Sequence, residues 1–476
     1  MVIAEQAAAI EELSRANAQL LERVTALERA LGRNSGNSSM PPSSDDLPGR
    51  KKPARRRARG SGRTRGKQRG APGSWLEWVD AADTYVPHRP EGDCVCGADL
   101  GRATDVGVER SHQVHDLPEI EITVVQHDLY RVRCGCGREH VAALPDQVSP
   151  ARSSYGLNIK SLVVYLLVYQ HVPVERVVTL IADLTGGTGP SVGFCHGMLT
   201  RAANALTEVL ATIKALLTLS RVVGFDETVL RAGPAADGKR YVLSASTDRY
   251  TLFHLGGRDL DTFTAFGILP EFTGIAVHDR YTIYYNKKWK QLGGHQACTA
   301  HLLRDFTDAA EAYPSAVWPE QAQRALRGLI HACNTARDAG GAELPPTVRD
   351  PLISSFRHAV RVGLSEVRPA PGPRHRTAQP PGRDLLEFCR NRESDVLRFC
   401  FDTQVWPTNN VSERDLRPNK TQQKISGRLT STDVTQDRLD IRSYIDTIRK
   451  HGAGVMAGLR AALAGKPWYP PALAPT

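Results

Sequence analysis

The stretch that most limits how this chain can fold runs from Arg221 to Asp279. RVVGFDETVL reads as an apolar strand interrupted by Asp226. KRYVLSASTD and RYTLFHLGG follow as strands separated by short turns, DLDTFTAFGIL reads as a helix, and GIAVHDRY reads as a short strand ending at His278-Asp279. In an order of three strands, a helix and a fourth strand, the first and fourth strands can lie side by side. Both carboxylates then meet at one edge of the sheet. Burying an unpaired aspartate in an apolar strand costs several kcal/mol. Each aspartate either marks where a strand emerges into water or belongs to a site that uses it. Phosphodiester transfer is the chemistry that wants such a pair. Two divalent ions about 4 Å apart serve the attacking and leaving oxygens, and Mg²⁺ prefers hard oxygen ligands.

A third acid stands in WPTNNVSERDLRPNK, where a short helix is expected to begin near Asn410 and end before Pro418. Glu413 lies three residues after Asn410, which is also capping-box spacing, so it is a helix cap or a ligand. Arg414, Arg417, Lys420, Lys424 and Arg428 surround it. Those cations suit a site that holds a polyanion, or they form a solvated face.

The sequence pI is about 9.2 and the net charge +10. Arg50–Arg69 alone contains eleven Lys and Arg and no acid, which leaves the remainder near −1. The excess is therefore one local arm, with Arg55, Arg56, Arg57 and Arg59 at its centre. Clustered cations without acids read as a phosphate-binding arm or as a solvated linker. The preceding NSGNSSMPPSSDDLPG has little to bury and reads as linker. Before it, residues 5–31 carry Ile10, Asn17, Val24 and Leu31 at heptad a and Leu13, Leu20 and Leu27 at d, a seam that favours a coiled-coil partner. The N-terminus lacks the basic end and apolar run of a secretory signal, and no apolar stretch reaches the roughly 18 residues of a membrane span. Nine cysteines are too sparse for a disulfide scaffold. These readings point to a reduced, cytoplasmic protein with no membrane association.

Residues 75–148 read as β-rich, with EIEITVVQHDLYRVRC alternating between two cysteine pairs, Cys94-Val-Cys96-Gly and Cys134-Gly-Cys136-Gly. Four thiolates on two such turns suit Zn²⁺, with His88 and His140 nearby, although the spacing is CxC where zinc knuckles usually have CxxC. Free thiols, or a degenerate site that lost its metal, are the other readings. Residues 157–219 read as helices, one ending near His171-Val172-Pro173, a second over roughly Val174 to Leu184, and a third from about Ser191 after a glycine turn. That order suits a helix-turn-helix reader of DNA, and equally a plain helical bundle.

Taken in order, these motifs resemble the bacterial transposases of insertion-sequence family sixty-six. The leucine-patterned helix, NSGNSSMPPSSDD, the basic run, the paired cysteines, GFDETVL, HDRYTIYYN, HQACTAHLLRDF, TNNVSERDLRPNKTQQKISG and YIDTIRKHGAGVMAGL follow the family's order. The resemblance implies an α/β, ribonuclease-H-like catalytic core with a DDE site made by Asp226, Asp279 and Glu413, and a helical insertion filling the roughly 130 residues between the last two. Cys298 and His301 of CTAH also match a family motif; they are metal ligands, for which two residues are too few to make a site, or a packed cysteine and a hydrogen-bonded histidine, the reading preferred. His278 is a candidate to orient a ligand beside Asp279.

The organisation expected is a coiled-coil helix (1–33), a linker with basic arm (34–73), a zinc-ribbon-like β module (74–150), a helical DNA-binding module (151–219), a catalytic core in two parts (220–310 and 401–450) around a helical insertion (311–400), and a tail (451–476). The expected function is metal-dependent cleavage at transposon ends and strand transfer into target DNA. It would use Mg²⁺ or Mn²⁺, with Zn²⁺ at the cysteine pairs, in a homodimer or higher oligomer associated with the nucleoid and with accessory proteins of the element. The alternatives are a catalytically inactive DNA-binding relative and a different ribonuclease-H-like nuclease.

Overall fold

The computed structural model describes residues 2–32, 76–145, 148–187, 189–234, 238–372 and 378–471. The linker and the arm, with Arg55, Arg56, Arg57 and Arg59, lie outside the described residues. The chain divides into two compact units, one of Arg55–Val124 and one of Met1–Ala54 with Val125–Thr476.

Within the smaller unit, the described residues carry one 3₁₀ turn, Leu100–Arg102, and an isolated bridge between Asp93 and Asp99. Regular strand appears further on, as β1 (Arg131–Arg133) paired antiparallel with β2 (Glu139–Val141). The β-rich expectation is thus corrected: the alternating run before Arg131 carries no strand. Its Ile120, Val124, Val125 and Tyr130 are exposed, so no buried face rewards the alternation.

In the larger unit, α1 (Val2–Gly32) is one long helix. Ile10, Leu13, Leu20, Val24, Leu27 and Leu31 of its seam are all exposed. The helices α2 (Leu157–Val164), α3 (Val174–Leu184), α4 (Val192–Ala205) and α5 (Thr207–Thr218) follow. A π-turn, Tyr165–Tyr169, extends α2, and His171 at φ 58° ends it. Ser191 caps α4 by accepting from the Phe194 N–H.

A five-stranded mixed sheet forms the centre. Its strands are β3 (Val222–Leu230), β4 (Arg240–Ser246), β5 (Thr251–Gly256), β6 (Ile275–His278) and β7 (Gly294–Ala297), in the order β5-β4-β3-β6-β7. The first three strands form an antiparallel meander; β3–β6 and β6–β7 are parallel. The crossover from β5 to β6 is α6 (Leu260–Phe266), started by the Asp259 cap and stopped by Gly267 at φ 74°.

Period-two alternation assigns the two faces of the sheet. Val223, Phe225, Leu243, Ala245, Leu252 and Ala276 join the core shared with α2–α5, so that core runs without interruption across residues 219 and 220. Val222, Val277 and Ala297 face the other way, into a second core with α7 (Thr299–Ala312), α8 (Trp318–Asp338), α9 (Pro346–Glu366), α10 (Arg383–Asn391) and α11 (Glu393–Leu397). Helices therefore cover both faces.

Three further helices close the unit: α12 (Asn410–Ser426), α13 (Thr432–Lys450) and α14 (Val455–Leu463). The helix expected to stop before Pro418 continues through it to Ser426. Packing on both sides of the proline outweighs the lost backbone bond. Leu416 enters a cluster with Leu230, Val242, Phe253 and Leu439, while Asn419 and Gln422 are buried one turn on. Asp415 meets Lys450 of α13 at 2.5 Å, and both bond the Thr251 hydroxyl. Removing one member of such a pair leaves a buried charge uncompensated. Lys450→Met should therefore destabilise the protein by about 3–5 kcal/mol in denaturant melts, and Asp415→Leu/Lys450→Met should recover much of that loss.

Candidate active site

The strand register brings the two sheet aspartates level. β3 and β6 pair as Val222↔Ile275, Val223↔Ala276 and Gly224↔Val277. Asp226 and Asp279 each stand two residues beyond that last pair. Alternation puts both on the face that also carries Val222, Gly224, Ile275 and Val277, the face turned away from α2–α5.

Glu413 arrives at that face on the first turn of α12. The cap residue is Asn409, not Asn410, and Asn409 makes no side-chain cap. Its side-chain amide instead donates to the Phe225 carbonyl at 2.6 Å, and its backbone N–H donates to Cys298 Sγ at 3.2 Å. With the cap one residue earlier than capping-box spacing to Glu413 requires, that reading of Glu413 fails. Gly224 lets α12 come this close. A Cβ there would meet Asn409 Oδ1 and Ser412 Oγ, each at 2.5 Å.

The electrostatics follow from this crowding. Burial holds the Asp226 carboxyl well above its usual range, and the charges of Glu227, Asp279 and Glu413 push it further. Burial also raises Asp279, opposed by the Tyr281 N–H and by Arg258 and Arg280. Glu413 Oε1 is buried and has no hydrogen-bond partner; His301 Nδ1 and Arg304 each approach it only to 3.8 Å. Of the cations around it, Arg414, Arg417 and Lys424 are exposed and Lys420 is half-buried. Burial lowers the Lys420 ammonium, against which the Asp226 charge acts. Arg428 donates to the Gly233 carbonyl.

Several neighbours carried no mark in the sequence. Glu227, next to Asp226, points to the opposite face and is 2 % exposed. It accepts two bonds from Arg258, at 2.6 and 2.8 Å, and one from the Tyr284 hydroxyl at 2.7 Å. Burial and Asp279 raise it to about 7. Arg258 stacks 3.9 Å over Tyr281 and lies 3.8 Å from Asp279 Oδ2. Arg280 pairs with Asp305 of α7. The side chain of His278, a candidate to orient a ligand beside Asp279, makes its contacts elsewhere. It stacks on Tyr284 at 4.3 Å, bonds the Asp279 carbonyl through Nδ1, and faces His295 through Nε2.

Cys298 and His301 gain a third member here. One ligand atom from each of Cys298, His301 and Glu413 lies within 4.8 Å of the other two. Burial lifts the Cys298 thiol to about 11 and lowers His301 to about 3, the latter helped by Arg304 and Arg280.

The two cysteine pairs form matching turns, each within its own unit. The Cys94 N–H donates to the Ala98 carbonyl and the Gly97 N–H to the Cys94 carbonyl. Cys134 pairs with Arg138, and Gly137 with Cys134, in the same way. Gly97 and Gly137 have φ of 87° and 89°. All nine cysteines are free thiols. Among the described residues, no helix is long and apolar enough to cross a membrane.

A mixed α/β unit with acids brought level on parallel strands and a third on a docked helix suits an enzyme acting on nucleic acid. The comparison with known families gives the class directly: residues 152–436, more than half of the chain, match the Transposase IS66 family. The chain belongs to that family. Residues 1–77 match a family of unknown function. No curated protein matches the chain.

The close approach at Gly224 has a measurable consequence. Gly224→Ala should destabilise the protein by about 1–3 kcal/mol, because the added methyl forces Asn409 and Ser412 off the strand. Thermal or denaturant melts measure this, and tolerance without loss would show that α12 does not rest on Gly224.

Proposed function

We propose that this IS66-family chain is a DDE-type DNA transposase with a ribonuclease-H-like core, in which Asp226, Asp279 and Glu413 hold Mg²⁺ or Mn²⁺. The observation that carries the reading is the pairing of β3 with β6, which sets Asp226 and Asp279 side by side on the face where α12 presents Glu413. The donor set fits a hard divalent cation. Three carboxylates act on one another, and a buried Glu413 oxygen has no hydrogen-bond partner. When bound, the ions supply stabilisation of charge on the attacking and leaving oxygens of an in-line displacement.

The protein's own groups do the positioning. Strands β3 and β6 fix two carboxylates on a rigid sheet, and α12 sets the third. Arg258, held by Glu227 and Tyr281, lines an open cleft beside Asp279 with Asn286 and Lys287, where a phosphate backbone can rest. Arg414, Arg417, Lys420 and Lys424 add cations along α12 for the same strand. Water hydrolyses a phosphodiester at the transposon end and frees a 3′-hydroxyl; that hydroxyl attacks a phosphodiester of target DNA and displaces the target strand's own 3′-hydroxyl, so no serine or tyrosine nucleophile is assigned.

Other parts of the chain are assigned to DNA and assembly. The arm around Arg55, Arg56, Arg57 and Arg59 neutralises phosphates, and the helices around α3 and α4 read the transposon end. The Cys94/Cys96 pair and the Cys134/Cys136 pair each offer two thiolates to Zn²⁺. The exposed seam of α1 pairs with a second copy of the chain, forming a homodimer or higher oligomer, with accessory proteins of the element as further partners.

Asp226→Asn, Asp279→Asn and Glu413→Gln should each lower Mg²⁺-dependent cutting of the element's terminal DNA by about 10³-fold or more, equivalent to about 4 kcal/mol of barrier. DNA affinity should stay within a few-fold in a mobility-shift assay. Normal cutting by Asp226→Asn would remove the assignment, and wild-type binding without cutting would favour an inactive DNA-binding relative. Deleting Arg50–Arg69 should flatten the dependence of log affinity on log salt by about 0.9 for each phosphate the arm no longer neutralises. An unchanged slope would free the arm from this role.

A further inference from the structure

At the junction of α7 and α12 a thiol, an imidazole and a carboxylate face one another. We propose that Cys298, His301 and Glu413 form a site for a zinc-class divalent ion, and that its occupation withdraws Glu413 from Asp226 and Asp279. The second half rests on the transposase reading; the first half does not.

The local fold builds the donor set. Cys298 is the residue at which α7 begins, and His301 follows on its first turn, three residues on. α12 brings Glu413 against them, because Asn409 bonds both Phe225 and Cys298 Sγ. One ligand atom of each side chain lies within 4.8 Å of the other two. Tetrahedral zinc with bonds of about 2.0–2.3 Å needs ligand atoms roughly 3.3–3.8 Å apart, so the set closes with small side-chain movements.

Two atoms in the cluster are without partners. His301 Nδ1 and Glu413 Oε1 are both buried, neither makes a hydrogen bond, and they stand 3.8 Å apart. That separation is too long for a direct hydrogen bond and suits one atom shared between them. A bridging water would also fill the gap, and cobalt binding separates the two.

The chemistry of the donors chooses the ion. Sulfur and imidazole favour Zn²⁺ or Co²⁺, whereas Mg²⁺ seeks oxygen. Binding replaces the Cys298 thiol proton with the metal and releases that proton to solvent. A thiolate, a carboxylate and a dication then sum to zero charge, as a buried site requires. Three protein ligands leave a fourth position open. Glu413 serves either this site or the two sheet aspartates, so zinc there opposes Mg²⁺-dependent cutting.

The test uses the full chain with Cys94, Cys96, Cys134 and Cys136 all changed to Ser, so that those thiols add no signal. Titrated with Co²⁺, this protein should develop a thiolate-to-cobalt charge-transfer band. Zn²⁺ should displace the cobalt, and a large excess of Mg²⁺ should not. The band should vanish in Cys298→Ser, and His301→Gln should weaken cobalt binding at least tenfold. Circular dichroism checks the fold of each variant, and if Cys298→Ser does not fold, His301→Gln alone decides. Absence of the band, its survival in Cys298→Ser, or unchanged affinity in His301→Gln overturns the site and leaves the bridging water.

In parallel, Zn²⁺ should inhibit cutting measured against each protein's own Mg²⁺ rate, and Cys298→Ser should lose that inhibition. Cobalt binding without zinc inhibition overturns the withdrawal of Glu413. Normal cutting by Asp226→Asn would instead end the transposase assignment while leaving the cobalt result standing.

Discussion

One hydrogen bond organises the site: the Asn409 side-chain amide donating to the Phe225 carbonyl at 2.6 Å. It ties the start of α12 to the strand that carries Asp226, and it is possible only because Gly224 has no side chain to hold the helix off. The tie is repeated along the helix. Asp415 reaches Lys450 and Thr251, and Gln423 accepts the Arg231 N–H at 2.9 Å. With attachments at its start, middle and end, α12 has little freedom to slide, and the backbone that carries Glu413 is fixed relative to the sheet.

The consequence of that precision is electrostatic crowding. Asp226, Asp279 and Glu227 are all raised by burial, helped at Asp226 by Glu227, Asp279 and Glu413, at Glu227 by Asp279, and at Asp279 by Asp305. The native cations answer only part of this. Arg258 directs both of its short bonds to Glu227 and stays 3.8 Å from Asp279. On the face shared by Asp226 and Glu413, Lys420 feels the Asp226 charge and Arg304 stays 3.8 Å from Glu413 Oε1.

How much of this was legible from sequence depends on whether the signal was local. The strands around Asp226 and Asp279 were readable because apolar alternation, turns and a capped helix all agreed. Strand order alone let the first and fourth strands lie side by side, and the structure pairs them in parallel. Glu413 was readable as a candidate but not separable from a helix cap, because the choice turned on whether the cap residue was Asn409 or Asn410. Only the bond to Phe225, 184 positions away in sequence, explains that start. Pro418 misled for the same reason: its local effect is to stop a helix, and the burial of Leu416 and Gln422 on either side is a tertiary fact. The part of EIEITVVQHDLYRVRC before Arg131 misled in the opposite direction, carrying strand propensity without a surface to use it. Cys298 and His301 looked like an incomplete pair because their third neighbour lies more than a hundred residues away.

The acids of the site are far apart along the chain. Asp226 and Asp279 belong to one stretch of strands, while Glu413 comes after α7–α11 and their own buried core. A ribosome that has released only the residues before α12 has therefore made both sheet acids and the whole basic arm, but nothing that can complete the trio. On the transposase reading, such a product would still carry the arm's cations, so an interrupted chain would compete with its finished siblings for DNA without cutting anything itself.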